Sequence, residues 1–255
     1  VTLLTLTLYV QPNSNPPSHW TGRHVQAWFL NWLRAHDPVL AAQLHDHNGR
    51  KPYAVSPLFM QSVENGVPFL RITTLTADLS ERLATFLQEP PRSIQLGALI
   101  FQVDSIAVHR SSYETLIREA TEQVTPLALH FVTAATFRSQ QMDMPLPLPP
   151  LVFGSLIHAW DMFSPLPLPI LLQPFIDTHL AIAQCELRTR HITSSGRETR
   201  IGFTGSVRYM VRDTLHDPPT MHESRVLIGA LVRYAAFAGV GAQTSAGMGQ
   251  VHVIS

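Results

Sequence analysis

Cysteine is all but missing: Cys185 stands alone in 255 residues. One thiol closes no internal disulfide and builds no Cys-based zinc site, which fits a reducing cytoplasm. Charge is scarce too. Asp, Glu, Lys and Arg make up 14% of the chain, against about 25% in an average soluble domain. The 18 cationic and 18 anionic residues cancel. Global charge therefore points to no polyanionic partner, and any nucleic-acid surface must be a local basic patch. No apolar run reaches the ~18 residues of a membrane helix. The apolar start, VTLLTLTLYV, has no basic region ahead of it and reads as a strand, not a signal peptide. Lysine is the scarcest charge of all, with Lys51 the only one among 18 Lys and Arg residues. Either this is chance in an arginine-biased chain, or position 51 needs an ammonium group.

What is present is enough for a globular fold. The apolar fraction is 45%, and the length suits one large domain or two of about 125 residues. Thr2 to Val10 alternates as a strand does. Gly22 to Leu44 carries helical spacing, with Pro38 dividing it. Tyr53 to Met60 and Val67 to Leu75 read as strands around the turn ENG. A short helix capped by Asp78 or Ser80 runs to Leu87. Ser93 to His109 reads as one long strand bent at Gly97. The order is βαββαβ.

A helical linker, Ser112 to Gln123, leads into a second series. Leu127 to Arg138 is a strand. The proline-rich MPLPLPP (Met144 to Pro150) is a loop or extended spacer. Phe153 to Phe163 and Ile170 to Ala183 are helical. Cys185 to Ser194 and Thr199 to Val211 form a hairpin around SSGRE. His222 to Ala238 is an apolar helix, and Val251 to Ile254 a last strand. The order is again βαββαβ. The expected fold class is α+β, two tandem ferredoxin-like domains, at 1–122 and 123–255.

Gly239, Gly241, Gly247 and Gly249 lie between that last helix and strand. Two readings are open. The glycines serve a tight helix-to-strand connection, or the loop presents backbone N–H groups to phosphates. It is no P-loop, since no G-K-[ST] follows. It is no dinucleotide fingerprint, since it follows a helix rather than opening one.

The segment YAAFAGVGAQTSAGMGQVHV (Tyr234 to Val253) resembles the C-terminal glycine-rich motif of the CRISPR repeat-RNA-processing endoribonucleases of the RAMP superfamily. IGFTGSVRYMV (Ile201 to Val211) is similar to the strand two elements upstream in that family. FVTAATFRSQ (Phe131 to Gln140), the proline-rich stretch and VFGSLIHAW resemble the start of its second domain. LHDHNGRKPYAVSPL (Leu44 to Leu58) resembles the segment that carries its catalytic histidine. The likeness covers most of the chain. It implies tandem ferredoxin-like domains and a soluble, cytoplasmic protein that needs no metal or other cofactor. The implied partners are CRISPR repeat RNA, as precursor and product, and other CRISPR effector subunits. A monomer and a homodimer both remain open. The alternative within the superfamily is a non-catalytic RNA-binding subunit.

The resemblance implies a metal-independent cleavage in which the RNA 2′-hydroxyl attacks the adjacent phosphate, leaving a 5′-hydroxyl and a 2′,3′-cyclic phosphate. Such a reaction needs a proton carrier near neutrality, which a histidine supplies. It also needs a cation beside the developing charge. The resemblance places the histidine at His45 and the cation at Lys51, with Arg50 a possible substitute. His47, then His24 and His36, are the rivals for His45. Some family members add a tyrosine on the first helix. Here that helix has Trp28, Phe29 and Trp32 instead, and Tyr53 lies on the following strand. Ser56 stands in a family-like position that a strand also explains. His45-Asp46-His47 without a distant further ligand is a weak metal pattern.

RNA would be held by a local patch. Arg188, Arg190, Arg197, Arg200, Arg208 and Arg212 crowd the second hairpin. Alternate strand residues share a face, so Arg188 and Arg190 point together. Such a face suits phosphates or guanine, or is an ordinary solvated sheet surface. Gln243, Thr244 and Ser245 of the glycine-rich loop are expected to add polar contacts to it.

Overall fold

In β1 (Leu3–Pro12), Leu4, Leu6, Leu8 and Val10 are fully buried, while Thr5, Thr7 and Tyr9 are half-buried. This two-residue period puts one face of the strand on a core. The computed structural model describes residues 3–12, 22–59, 66–123, 125–139, 142–194, 198–212 and 221–254. The chain forms two compact units, Val1–Ser111 with Gln243–Gly247, and Ser112–Ala242 with Met248–Ser255. Among the described residues no helix is long and apolar enough to cross a membrane.

The first unit follows β1 with α1 (Gly22–His36) and α2 (Pro38–Asp46), then β2 (Tyr53–Val55), β3 (Phe69–Thr74), α3 (Ala77–Phe86), β4 (Ser93–Leu96) and β5 (Leu99–Ser111). The sheet order is β2-β3-β1-β5-β4, antiparallel throughout. With β4 set aside, this is the ferredoxin-like order. Val25, Phe29 and Leu33 of α1 seal its core. Three expectations change. Ser93 to His109 is a hairpin rather than one bent strand. Gly97 takes a left-handed φ of 59°, so the chain reverses and Leu96 pairs with Leu99. Among the described residues the second strand ends at Val55, and beyond it a bridge joins Phe59 to Phe69. Thr76, not Asp78 or Ser80, precedes α3 as its N-cap residue: Asp78 lies in the first turn, and the buried Ser80 hydroxyl bonds Thr74 at 2.6 Å.

In the second unit come α4 (Tyr113–Glu122), β6 (Ala128–Ala135), the small hairpin β7 (Phe137–Ser139) and β8 (Met142–Met144), then α5 (Pro149–Phe163) and α6 (Leu172–His179). β9 (Leu180–Ser194), β10 (Glu198–Val211), α7 (Met221–Ala238) and β11 (Val251–Val253) complete it. The order β11-β6-β10-β9 again is ferredoxin-like. α4, expected as the end of the first domain, groups with this unit and packs on α7. Tyr113 lies 4.7 Å from Trp160 and 5.4 Å from Tyr234 between ring centres, all three buried. Two boundaries differ from expectation. Pro149 and Pro150 are not spacer; they open α5, where a missing N–H costs nothing. Residues 180–183 extend β9 rather than α6, because Leu180 to Ile182 pair with Tyr209 to Val211.

β11 is entered through Gly249, at φ 62°. A Cβ there would lie 1.9 Å from the Val240 carbonyl oxygen. Gly249→Ala is therefore expected to lower the melting temperature by several degrees, since such strain costs about 1–3 kcal/mol. Gly154→Ala on α5 meets only the flexible end of Gln173, at 3.3 Å. It should leave the melting temperature unchanged or raise it, as a thermal scan of both variants would reveal.

Candidate functional site

α1 and α2 enclose a pocket of about 400 Å³ lined by Arg23, Gln26, Ala27, Leu30, Asn31, Arg34, Leu44, His45 and Lys51. Positions 23, 27, 30 and 34 recur at three- and four-residue spacing, so α1 turns one stripe to the pocket. His45 stands exposed in the last turn of α2. Three cations and no carboxylate share the lining with it. A small concave site of this charge suits one phosphate and one proton carrier. Arg23, Gln26, Asn31 and Arg34 were not singled out from the sequence, though their helical spacing was legible there.

α2 is fixed at both ends. Asp37 accepts a hydrogen bond from the Leu40 amide at 2.9 Å and an ion pair from Arg82 at 2.7 Å. At the other end the Lys51 ammonium donates to the carbonyls of Leu44 (2.5 Å), His45 (2.9 Å) and His47. These carbonyls belong to the helix end that has no partner within the helix. The ammonium has three hydrogens, and all three have an acceptor. Desolvation against the helix end lowers the Lys51 pKa from its ordinary value, and the nearby Asp46 carboxylate opposes that shift.

The rivals separate. His47 is exposed and outside the pocket lining. His24 is exposed, while His36 stacks on Phe86 at 4.8 Å. Arg50 is half-buried and also outside the lining. Tyr53 points inward: it is fully buried, its hydroxyl accepts from Gln26 at 3.3 Å, and burial raises its pKa. Ser56 is buried, accepting from the Arg71 amide and donating to the Pro57 carbonyl, both at 2.7 Å. Among the described residues no three His, Cys, Asp or Glu side chains form a group able to hold a metal.

The glycine-rich loop corrects one reading. Its glycine amides do not face outward as a phosphate cradle. Gly239 donates to Ala235, Gly241 to Ser155, Gly247 to Thr244 and Gly249 to Ala134. Gly241, Gly247 and Gly249 have positive φ and sit where a Cβ would strike backbone. Within the first unit, a Cβ on Gly247 would lie 2.5 Å from the Gly22 Cα. Thr244 is buried, while Gln243 and Ser245 are half-buried. Gln243 alone among the described non-glycine residues takes a positive φ, 56°.

In the second unit four of the six arginines lie on one hairpin face. Across β9 and β10, Arg188 lies opposite Thr204, Arg190 opposite Gly202, Arg200 opposite Ile192 and Arg208 opposite Gln184. All four share the face opposite buried Phe203 and Val207. Arg188, Arg190 and Arg208 are exposed. Arg190 donates to Thr204 at 3.2 Å. His130 and Ser206, 2.8 Å apart, extend the same face and line a depression of about 410 Å³ with Glu186, Arg188 and Arg190. His130 and Ser206 were not anticipated; only strand register brings them beside the arginines. Arg197 lies outside the described residues.

Two family models match the chain: the CRISPR Cas6 N-terminal domain over residues 4–81, and the CRISPR-associated endoribonuclease Cas6 over residues 129–251. Among solved structures, a Cas6 (TTHA0078) product complex is 26% identical, with a TM-score of 0.79 over 100% of both chains. A Cas6 (TTHB231) product complex, from Thermus thermophilus, is also 26% identical, with a TM-score of 0.78 over 99% of both chains. A RAMP protein described as binding different RNA substrates shares the fold at 14% identity, with a TM-score of 0.60 over 100% of both chains. No curated protein matches. With two matched models in chain order and full-length structural agreement, the chain belongs to the CRISPR-associated endoribonuclease Cas6 family.

Proposed function

We propose that this chain cleaves precursor CRISPR RNA within its repeats, and that the α1–α2 pocket is where it cuts. The observation that carries this reading is His45 in one small pocket with Arg23, Arg34 and Lys51 and with no carboxylate. The RNA 2′-hydroxyl gives up its proton and attacks the scissile phosphorus. A P–O2′ bond forms, the P–O5′ bond breaks, and the 5′ oxygen takes a proton. The products are a 2′,3′-cyclic phosphate and a 5′-hydroxyl. RNA supplies the nucleophile, so the protein needs only to move a proton and offset charge. His45 acts as the general acid or base. The pocket cations stabilise the charge that builds on the equatorial oxygens.

Lys51 works here chiefly by position. Its hydrogens are spent on the end of α2, so it holds His45 in place and leaves its positive charge beside the pocket. Arg23 and Arg34 are the cations that point a fork of donors, the geometry that suits phosphate. Repeat RNA would lie along the arginine face of β9 and β10 by phosphate contacts. Arg197, Gln243 and Ser245 belong to this binding proposal as well. Gly239, Gly241, Thr244, Gly247 and Gly249 contribute shape rather than contacts.

The decisive experiment is incubation with the cognate repeat RNA. Cleavage should proceed in chelator and stop when the scissile 2′-hydroxyl is replaced by hydrogen. Cutting of the deoxy substrate would overturn the mechanism, and a protein that binds but never cuts would instead be an RNA-binding subunit. His45→Ala should lose at least ~10²-fold in single-turnover rate with its RNA affinity kept; a wild-type rate would remove His45 from the chemistry.

Lys51→Ala leaves three carbonyls without their donor. It should lower both the cleavage rate and the melting temperature, whereas His45→Ala should lower the rate alone. Arg188→Ala with Arg190→Ala should weaken RNA binding and flatten the log affinity against log salt plot by about 1–2 units, roughly 0.7–0.9 for each lost phosphate contact. The saturating single-turnover rate should not change.

A further inference from the structure

The arginine face of the second unit carries a residue of the opposite sign. Glu186 lines the depression of about 410 Å³ with His130, Ser206, Arg188 and Arg190, and it is the one carboxylate among the described residues of that lining. Strand register sets it in a row. His130 of β6 lies opposite Ser206 of β10, and Ser206 lies opposite Glu186 of β9. All three side chains therefore share the outer face of the sheet. Glu186 is exposed, and Arg188 follows it two residues later on the same face. Yet among the described residues no ion pair joins Glu186 to a cation.

A bare carboxylate repels phosphate. On a face that holds RNA through its phosphates it weakens binding, unless the RNA brings hydrogen-bond donors to it. A ribose 2′-hydroxyl offers one donor. A carboxylate with both oxygens free is matched by two parallel donors. Among the four RNA bases only the Watson–Crick edge of guanine has two side by side, N1–H and the N2 amino group. The third group on that edge, O6, is an acceptor. His130 supplies the donor that answers it. Its Nδ1 lies 2.8 Å from the Ser206 hydroxyl. When that hydroxyl donates to Nδ1, the neutral ring carries its proton on Nε2. β6 and β9 are two strand spacings apart, roughly 9.6 Å, which leaves space above Ser206 for the edge of one base. Within a stem that edge is taken up by pairing, so the base must be unpaired.

We infer that this depression selects one unpaired guanine of the repeat RNA. Glu186 accepts from N1–H and N2–H, His130 donates to O6, and Ser206 fixes the imidazole tautomer. Arg188 and Arg190 take the flanking phosphates. This rests on the reading that the β9–β10 face binds repeat RNA, and it adds sequence selection to a surface that otherwise holds only backbone.

Charge alone and base reading predict opposite signs for one substitution. If Glu186 is only a solvated carboxylate, Glu186→Ala removes repulsion and tightens every RNA. If it reads guanine, Glu186→Ala weakens binding of the cognate repeat by about 5–100-fold. Oligouridylate, which has no guanine, then binds as tightly as before or more tightly. Affinities are read by filter binding at fixed salt, with the scissile 2′-hydroxyl replaced by hydrogen so that the repeat stays whole. Inosine lacks the N2 amino group and keeps N1–H and O6. With the unpaired guanines replaced one at a time, inosine at a single position should weaken wild-type binding severalfold. That same RNA should lose nothing further on Glu186→Ala. His130→Ala should also weaken the repeat and spare oligouridylate. Repeat binding that is unchanged or tighter in Glu186→Ala would overturn the proposal. So would a repeat in which no single inosine matters, a repeat with no unpaired guanine, or equal weakening toward both RNAs, the mark of a 2′-hydroxyl contact. Failure of the underlying reading looks different: Arg188→Ala with Arg190→Ala would then bind the repeat as the wild type does, and both proposals would fall together.

Discussion

Two stretches of backbone meet at Gly22 and Gly247 with no room for a side chain on either. A Cβ on Gly22 would lie 2.3 Å from the Ala246 carbonyl oxygen, and one on Gly247 would lie 2.5 Å from the Gly22 Cα. This contact seats residues 243–247 on the first turn of α1, within the first unit. The next residues of α1, Arg23 and Gln26, form the pocket wall that faces His45. The glycine-rich segment near the C-terminal end thus shapes the pocket wall by steric means. Any larger residue would move the start of α1, and with it the cations. The same need for close approach explains why its amides are used internally. A loop packed this tightly cannot leave buried N–H groups unpaired.

The second constraint is the end of α2. Helix ends fray, and His45 sits in the last turn. A side chain there keeps its place only if the turn is held. Lys51 holds it from outside the helix, with an ammonium that reaches three carbonyls from one point. A guanidinium spreads its donors over a plane and would not converge in the same way. This gives a physical reason for a lysine at position 51 in a chain that otherwise uses arginine. It also places a positive charge at the negative pole of the helix dipole.

Most of the fold was legible because its elements keep their periods. β1 alternates from Leu4 to Val10, α1 shows a clean apolar stripe, and the twice-repeated βαββαβ order emerges from such periods. The failures share a cause. At Gly97 a bend and a reversal look alike in sequence, and only pairing of Leu96 with Leu99 tells them apart. At Leu180 local helical character yields to a β10 partner that lies about thirty residues away. The site was half legible. His45 and Lys51 came from resemblance to a family segment, whereas the α1 wall depends on packing between two helices that no local pattern reveals. The Lys51 contacts were hidden for the same reason, since carbonyls leave no mark in a sequence.

A neutral chain must do its electrostatic work locally, and this one does so in two physically different ways. In the first unit, cations gather around a concavity of about 400 Å³ beside an imidazole. That space suits a single phosphate. In the second unit, arginines stand along strands whose residues on one face repeat every ~7 Å, close to the spacing of successive phosphates on an extended strand. Thr204 fixes one of them, Arg190. A row of this kind fits a run of phosphates without distinguishing among them.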